Sequence, residues 1–568
     1  MSNESNSHNK HLTMQHINGL HFNNLRGDIY GGLTAAVVAL PLAMAMGVAS
    51  GVGPIAGMYG AIFVGFFAAL FGGTPSQVSG PTGPMTVVMA AIFMQYTGMF
   101  PDNPGHGAAL AFTVVVLGGL FQILFGILRI GKYIELVPHP VVSGFMSGIG
   151  IIIILLQLGP LLGHEAVSQP IAAVTALPDF LGSIDTNSAI LGIIALAVVY
   201  GVPSFIPRLN QLVPSPLLSL VVGTGSYLLF FSGSNTPIIG DIPTGFPELM
   251  LPTYDPELIG MMILSGLTLA GLGTIDSLLT SLVADNITRT QHKSDRELIG
   301  QGIGNTVAGF FGGLPGAGAT MRTVVNVKAG GRTPISGALH AVILLAIVLG
   351  AGSLASNIPN AVLAGILIKV GTDIIDWDYL KLMPRAPKPG VVIMLVVLCT
   401  TVAIDLLLAV GIGMVMASFL FMQRMSDLQL DSITATKSNG EELPLNNEEK
   451  EIFAAAEGRI LLFHISGPMS FSAAKGMARH HASIKDYDLM LLDLSDVPII
   501  DFTSAKAIED IIIDTKAAGR QVFLVGARQN VYDILKKQNI LRHLDSAQMY
   551  RNRLDALQNA AQLIKQVN

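Results

Sequence analysis

From about Arg26 to Met425 the chain is a succession of apolar segments, and beyond Met425 the composition changes sharply. A helix that crosses a bilayer needs roughly 20 apolar residues. About fourteen such segments can be drawn, over 29–48, 55–72, 84–98, 107–128, 137–161, 187–206, 214–232, 258–284, 296–312, 319–328, 333–351, 357–375, 390–404 and 406–423, the last two a tight hairpin around Asp405. The third and tenth are interrupted. Gly80-Pro81-Thr82-Gly83-Pro84-Met85-Thr86 opens the third, and Gly312-Gly313-Leu314-Pro315-Gly316-Ala317-Gly318-Ala319-Thr320-Met321-Arg322 opens the tenth. Each leads into an apolar piece too short to cross alone.

A pair of Gly/Pro-broken segments in corresponding halves of a membrane protein points to a binding site at the midplane. The first turn of a half-helix carries unpaired N–H groups and a positive dipole end, which suits an anion. Basic residues test the topology independently. With the N-terminus in the cytoplasm, Arg129, Lys132, Arg208, Arg289, Lys293, Arg296, Arg332, Lys381, Arg385 and Lys388 all fall on the cytoplasmic side. The opposite loops, around 96–106, 163–185 and 232–257, hold acids but no Lys or Arg. That asymmetry follows the positive-inside rule. Fourteen spans divide into seven plus seven, and an odd repeat inverts its second copy, so the two half-helices are expected to meet N-terminus to N-terminus.

Composition excludes other classes. The chain is 51% hydrophobic and 12% charged, half the charge of an ordinary soluble domain. Its net charge of −6 gives no sign of nucleic-acid binding. One cysteine, Cys399, rules out a disulfide framework or a cysteine metal site within one chain. No Walker-type phosphate loop and no His/Asp/Glu cluster of catalytic-metal spacing is present, and no enzyme is expected. Residues 1–25 lack the pattern of a cleaved signal and read as a polar cytoplasmic leader. Residues 26–425 form the transport domain, 426–450 a polar linker, and 451–568 a cytoplasmic domain in which strands alternate with helices, a small α/β fold.

Asp276 lies in an otherwise apolar stretch, and an ionisable group there marks an ion or proton pathway by default. Thr280, four residues on, shares its helix face. Carboxylate, hydroxyl and freed carbonyls make an oxygen-only site for a hard monovalent cation, though residue chemistry alone leaves Na⁺ and H⁺ both open. The plainer reading is a hydrogen-bonded structural Asp. Thr82, Gly83, Pro84, Met85 and Thr86 begin the third span, Pro suiting a first turn; the plainer reading is a packing kink. Arg322 begins the tenth with Gly318, Ala319, Thr320 and Met321 before it. Its cation either assists an anion or neutralises Asp276 or Asp285, and the first is preferred. Gln157 and Asn305 read as interhelical hydrogen-bonders, and His139, between two prolines, as a structural residue at a loop end. In the tail, Asp501, Thr503 and Ser504 sit at a strand-to-helix junction; they read as caps or, more sharply, as a phosphate contact or phosphorylation site.

The order of the Leu33–Met58 span with Pro41, then Gly80–Met85, the Asp276 span, the Arg322 segment and an α/β tail resembles the SulP (solute carrier 26) anion transporters, and the tail resembles the STAS domain. Arg26-Gly27-Asp28, Pro81–Met89, Gly273–Thr280 and Gly312–Val325 look closest to the sodium-dependent bicarbonate transporters of the cyanobacterial type. That resemblance implies Na⁺ at Asp276, Thr280 and the Gly318–Thr320 backbone, and bicarbonate or another small anion at Thr82 and the main chain near Pro84–Thr86. It implies a core and a gate subdomain, dimers, and a phosphorylatable Thr503 beside Asp501, with a cytoplasmic regulator as a further partner. Leu42 follows Pro41 where many sulfate-type members have Gln, and the first span lacks the acid linked to proton coupling in some bacterial relatives. The expectation is a multi-pass carrier of the bacterial inner membrane, both termini cytoplasmic, with no cofactor beyond Na⁺ as coupling ion. Its rivals are a proton-coupled sulfate or dicarboxylate symporter, a non-transporting anion sensor signalling through the tail, and an uncoupled channel or exchanger.

Overall fold

Runs of Leu, Ile, Val and Ala punctuated by Pro and Gly become helices whose ends coincide with that punctuation. The computed structural model describes residues 18–566 except 166, 168, 241–246, 405 and 438–444. The proposed hairpin residue Asp405, most of the leader and the middle of the linker therefore lie outside the described residues. Helices occupy α1 (Leu25–Ala49), α2 (Pro54–Phe71), α3 (Gly83–Met99), α4 (Pro104–Ile127), α5 (His139–Leu161), α6 (Thr186–Phe205) and α7 (Ser215–Ser226). They continue with α8 (Ile259–Thr288), α9 (Ser294–Phe310), α10 (Thr320–Lys328), α11 (Pro334–Ala355), α12 (Asn360–Ile374), α13 (Lys388–Ala403) and α14 (Leu406–Asp431). Pro54, Pro104 and Pro334 occupy first turns, where the missing N–H costs no bond. Arg289 ends α8 in the left-handed conformation, its N–H donating to Asp285 O at 2.7 Å.

Seven of these helices are long and apolar enough to cross a bilayer by length and composition. Phe205, Leu229, Phe230, Phe419 and Phe421 are exposed, an apolar surface of the kind that lipid covers. Helix α3, expected over 84–98, has 17 residues and is not among these seven, so it stays too short to cross alone. One helix differs from expectation. Helix α10 has 9 and is amphipathic rather than apolar, burying Arg322, Thr323 and Asn326.

The first compact unit ends at Met414 and holds a two-stranded ribbon of β1 (Ser79–Gly80) and β2 (Ala317–Gly318). Within it α1 to α4 and α8 to α11 pack on one another, as do α5, α6, α7, α12 and α13, and the two sets meet where α1 and α3 contact α5, α7 and α12. Small residues set the closeness. A methyl group at Gly57 would lie 1.9 Å from Ala43 O, so α1 and α2 touch backbone to backbone.

The second unit, residues 415–568, has a five-stranded sheet in the order β3-β4-β5-β6-β7. Its strands are β3 (Ile433–Thr436), β4 (Ile460–Ser466), β5 (Leu489–Asp496), β6 (Gln521–Val525) and β7 (Met549–Tyr550), with β3 antiparallel and the rest parallel. Alternate strand residues face opposite helical layers. Phe463, Leu492 and Leu524 pack with Met477, Ile508 and Leu535 on one side. Leu462, Leu491 and Phe523 pack with Phe453, Leu557 and Ala560 on the other. The stretch read as linker is partly structured: it holds the end of α14, strand β3 and the start of helix α15 (Asn447–Ala455), whose capping box at Asn446 and Glu449 no apolar pattern announces.

Buried in this sheet is a charged group, Asp493, wholly inaccessible on β5. His464 Nδ1 lies 2.9 Å from its carboxylate and Arg553 Nε 2.9 Å, and Ser495 N donates to it at 3.0 Å. Burial alone would raise its pKa. The His464 and Ser495 hydrogen bonds and the Arg553 charge outweigh that and hold it below the usual carboxylate range. A depressed carboxylate contributes stability above its unfolded pKa, about 4, and loses it as pH falls through the lower folded value. Asp493→Asn should therefore weaken this unit at pH 7 by about 3 kcal/mol, because Arg553 loses its closer carboxylate and keeps only Glu449 at 4.0 Å, and the deficit should shrink in acid. Thermal protease resistance of the C-terminal region in the full chain, at neutral and acid pH, measures both.

Candidate functional site

The two breaks meet. Ser79–Gly80 (β1 of a separate two-stranded ribbon) pairs antiparallel with Ala317–Gly318, Ser79 opposite Gly318 and Gly80 opposite Ala317. Gly316 is required here: a methyl group on it would sit 2.5 Å from the Gly80 carbonyl carbon and oxygen. Asn305 on α9 fixes the same residue from both sides, accepting from Gly316 N at 2.7 Å and donating to Gly316 O at 2.9 Å, and its amide also donates to Gln122 on α4. Asn305 is thus an interhelical hydrogen-bonder, as expected, and its partner is the break itself.

Helices α3 and α10 start within three residues of this ribbon. Their N-cap residues, Thr82 and Ala319, provide no side-chain cap, and Thr82 Oγ1 is buried without a partner. First-turn N–H groups have no intrahelical acceptor, so both helix starts keep donors available. Antiparallel pairing brings these starts together from opposite chain directions.

Beside them a cavity of about 1220 Å³ runs between the two helix sets. One wall holds Thr82, Gly83, Pro84, Asp276, Ala319, Thr320, Met321 and Arg322; the other holds Val142, Met146, Ile366 and Lys369. Asp276 is 5% exposed, and its Oδ2 has no hydrogen-bond partner although the Thr82 hydroxyl is near. Thr280 Oγ1 donates to Gly318 O at 2.9 Å and lies 2.7 Å from Thr320 Oγ1. Carboxylate, two hydroxyls and a main-chain carbonyl are therefore gathered on α8, α10 and the break between them. Oxygen donors of this kind suit a hard cation.

Arg322 is 1% exposed. Its Nη2 donates to Pro81 O at 2.8 Å, while Nε and Nη1 have no partner. Asp285 is engaged elsewhere, with His292 Nδ1 at 2.7 Å. Neutralisation of Asp285 by Arg322 is thereby excluded; the guanidinium instead braces the segment leading into α3 and carries positive charge beside the cavity.

Not every residue read from the sequence joins this site. Met85 is buried, its methyl against Gly273, and does not line the large cavity. Thr86 faces a small separate pocket with Gly83, Met46 and Gln157, its hydroxyl unpartnered. Met321 does line the large cavity and is half exposed. His139 begins α5 with its side chain 71% exposed, at the cavity wall rather than at an ordinary loop end. In the second unit Asp501 is the N-cap of α16 (Phe502–Ala517), accepting from Ser504 N at 2.8 Å and from Phe471 N at 2.6 Å. The cap is thus this carboxylate, not a hydroxyl. Thr503 is exposed, whereas Ser504 is 1% exposed with its hydroxyl enclosed, so of the two only Thr503 is open to a modifying enzyme.

Sequence reasoning gave no role to Asp28, quoted only within a family motif, or to Glu297 and Gln77. Asp28 is fully buried and holds the turn before α11: Oδ1 accepts from Arg332 N and Thr333 N, and Oδ2 from Thr333 Oγ1. Glu297 and Gln77 are buried together below Gly318. The available signal was an acid at the edge of an apolar segment, which basic loop neighbours disguised.

A paired break, two uncapped helix starts and a buried carboxylate, Asp276, in a cavity between two helix sets define a membrane transporter of the broken-helix class. The chain belongs to the sulfate permease family: that family's model matches residues 25–397, and the STAS domain model matches 452–556. It is 46% identical over 548 residues, 96% of each chain, to a bicarbonate transporter, BicA, of Synechocystis sp., and 46% identical over 550 residues to its counterpart in Picosynechococcus sp.. Among solved structures, the transmembrane domain of a cyanobacterial bicarbonate transporter BicA matches at 49% identity and TM-score 0.65, covering 70% of this chain and all of that one. SLC26A9 shares the fold at TM-score 0.80 and 18% identity, covering 99% of this chain and 96% of that one. The protein is therefore a helical, multi-pass anion transporter with a C-terminal STAS domain, and not an enzyme.

Proposed function

We propose that the chain is a secondary active symporter that couples inward Na⁺ movement to uptake of bicarbonate by alternating access. The observation that carries this is the buried Asp276 oxygen without a donor, set beside Thr280, Thr320 and Gly318 O, between two helix starts that offer N–H groups. In this reading Asp276, Thr280, Thr320 and the backbone at Gly318 and Ala319 hold Na⁺. Thr82 with the first turns of α3 and α10 holds the anion, and Arg322 adds charge without bidentate coordination. Each ion favours the other. Opposite unit charges about 5 Å apart attract by roughly 3 kcal/mol at an effective dielectric of about 20, and such coupling is reciprocal. The 46% identity to bicarbonate transporters supports bicarbonate over larger anions.

The same reading places the chain in a bacterial plasma membrane as a homodimer with both termini cytoplasmic and a regulator at the STAS domain. The antiparallel pairing of the breaks supports a seven-plus-seven inverted repeat.

Labelled bicarbonate uptake into proteoliposomes at fixed pH, with a Na⁺ gradient and then with K⁺ in its place, tests the coupling. Accumulation is expected only with Na⁺. Labelled sulfate or succinate driven by a proton gradient, with bicarbonate silent, would replace this reading with the proton-coupled one. Anion binding without any flux would favour a sensor.

A further inference from the structure

Glu297 is the most heavily hydrogen-bonded carboxylate near the break, and nothing in the transport scheme above uses it. It is 1% exposed near the start of α9. Its Oε2 accepts from Gly73 N at 2.8 Å and Thr74 N at 2.9 Å. Its Oε1 accepts from Gln77 Nε2 and Gln301 Nε2, both at 2.8 Å. Four donors and no acceptor converge on it, so the geometry selects the ionised form: a neutral amide or acid would turn a donor toward one of these four.

The contacts continue toward the cation oxygens. Gln77 lies directly under Gly318, where a methyl group on that glycine would be 2.3 Å from Gln77 Nε2. With Nε2 committed to Glu297, Gln77 Oε1 is turned to accept from Ser281 Oγ at 3.0 Å. Ser281 Oγ lies 2.7 Å from Thr74 Oγ1 on the loop that Glu297 also holds. Ser277, four residues before Ser281, accepts from Gly318 N at 3.1 Å, and Gln301 also donates to Ser79 Oγ, the ribbon partner of Gly318. Gly318 is thereby fixed from three sides, by Gln77, Ser277 and Ser79. Its carbonyl points at Thr280.

We infer that Glu297 is a positioning residue for the cation site. As a carboxylate it orients Gln77 and Gln301, and these hold Gly318 so that its carbonyl stands with Thr280 and Thr320 as a preformed oxygen set. Glu297 does not touch the cation. The inference rests on the sodium-coupled reading of the site and adds a residue on a different helix from Asp276.

Groups that orient metal ligands from behind typically change affinity by about 10- to 100-fold when altered. Glu297→Gln keeps shape but turns one of the two acceptor oxygens into a donor NH₂ that faces two donors, so half-saturation by Na⁺ in bicarbonate uptake should rise by about 10-fold or more. The maximal rate at saturating Na⁺ and the half-saturation by bicarbonate under that condition should change little. The double variant Glu297→Gln/Gln77→Glu moves the carboxylate to the neighbouring position and lets the new amide donate to it. It should recover most of the Na⁺ affinity. Gln77→Met, which leaves Glu297 three donors, covers the case in which Glu297→Gln does not fold; it should weaken Na⁺ in the same direction.

Na⁺-dependent thermal stabilisation of detergent-purified full-length protein is read in parallel with uptake. If wild type depends on Na⁺ and these variants lose maximal rate with unchanged Na⁺ half-saturation and no recovery in the double variant, the role is structural and the inference is overturned, leaving the coupling intact. If wild type itself is indifferent to Na⁺ in both measurements, the coupling reading falls and the inference with it.

Discussion

Asp276→Ala should abolish the sodium-dependent part of bicarbonate uptake while leaving the protein folded and in the membrane. The side chain is 5% exposed and makes no ion pair among the described residues, and its Oδ2 meets no donor. Removing it therefore costs that oxygen no hydrogen bond, and the substitution removes a desolvated charge that costs free energy to bury. Structural carboxylates in this protein look different. Asp28 and Glu297 are each surrounded by donors. With the carboxylate gone, hydroxyls and one carbonyl remain, which lack the charge to dehydrate a monovalent cation. The expected readout is uptake in a Na⁺ gradient equal to that in K⁺, with ordinary expression and size-exclusion behaviour. Persistent Na⁺ stimulation in the variant would refute the assignment. Asp276→Glu is the useful companion: it keeps charge but advances it by one methylene, and should leave a weakened Na⁺ response.

Gly316→Ala should eliminate transport in Na⁺ and K⁺ alike. The added methyl would lie 2.5 Å from two backbone atoms of Gly80, and backbone on both sides of a paired ribbon has no rotamer with which to yield. Relief requires the ribbon to part. That separates the starts of α3 and α10 and pulls Gly316 from Asn305, which grips both its N–H and its carbonyl. Since the proposed anion donors belong to both helix starts and the proposed cation oxygens lie beside the second, both binding events should fail together, and activity should fall by well over about 10-fold, in line with misplacements of about 1 Å elsewhere. Gly98→Ala is the control. It lies near the end of α3 with open space where the methyl would go, so uptake should be unchanged and stability equal or about 0.5 kcal/mol higher. Equal activity in the two variants would show that the ribbon need not be closed.

These expectations mark the line between what the sequence dictates and what folding adds. Apolar segments of bilayer length leave few options for a backbone without water, so helices stand where hydropathy places them. Gly and Pro clusters locate both breaks, because few other residues allow such turns and tight approaches. A single acid in an apolar run identifies Asp276 for the same energetic reason. The alternation of buried strands and amphipathic helices announces the three-layer tail.

Contacts across hundreds of residues are another matter. No pattern within the sequence pairs Ser79 with Gly318, or seats Gln77 beneath that glycine. Glu297 looks like one more charge at the edge of a basic loop until its four donors arrive from 73, 74, 77 and 301. Met85 and Thr86 share the motif of Thr82 yet turn away from the cavity, since a helix rotates successive side chains by about 100° and only packing decides which face meets the opening. The same limit hid strand β3 inside a polar stretch, where its partner β4 supplies the hydrogen bonds that its own composition does not suggest. The sequence by itself determined which segments are helices, where two of them break, and which acid must answer for its burial. The tertiary structure alone decided which oxygens and N–H groups converge, because that depends on long-range backbone pairing and side-chain facing that local patterns do not encode.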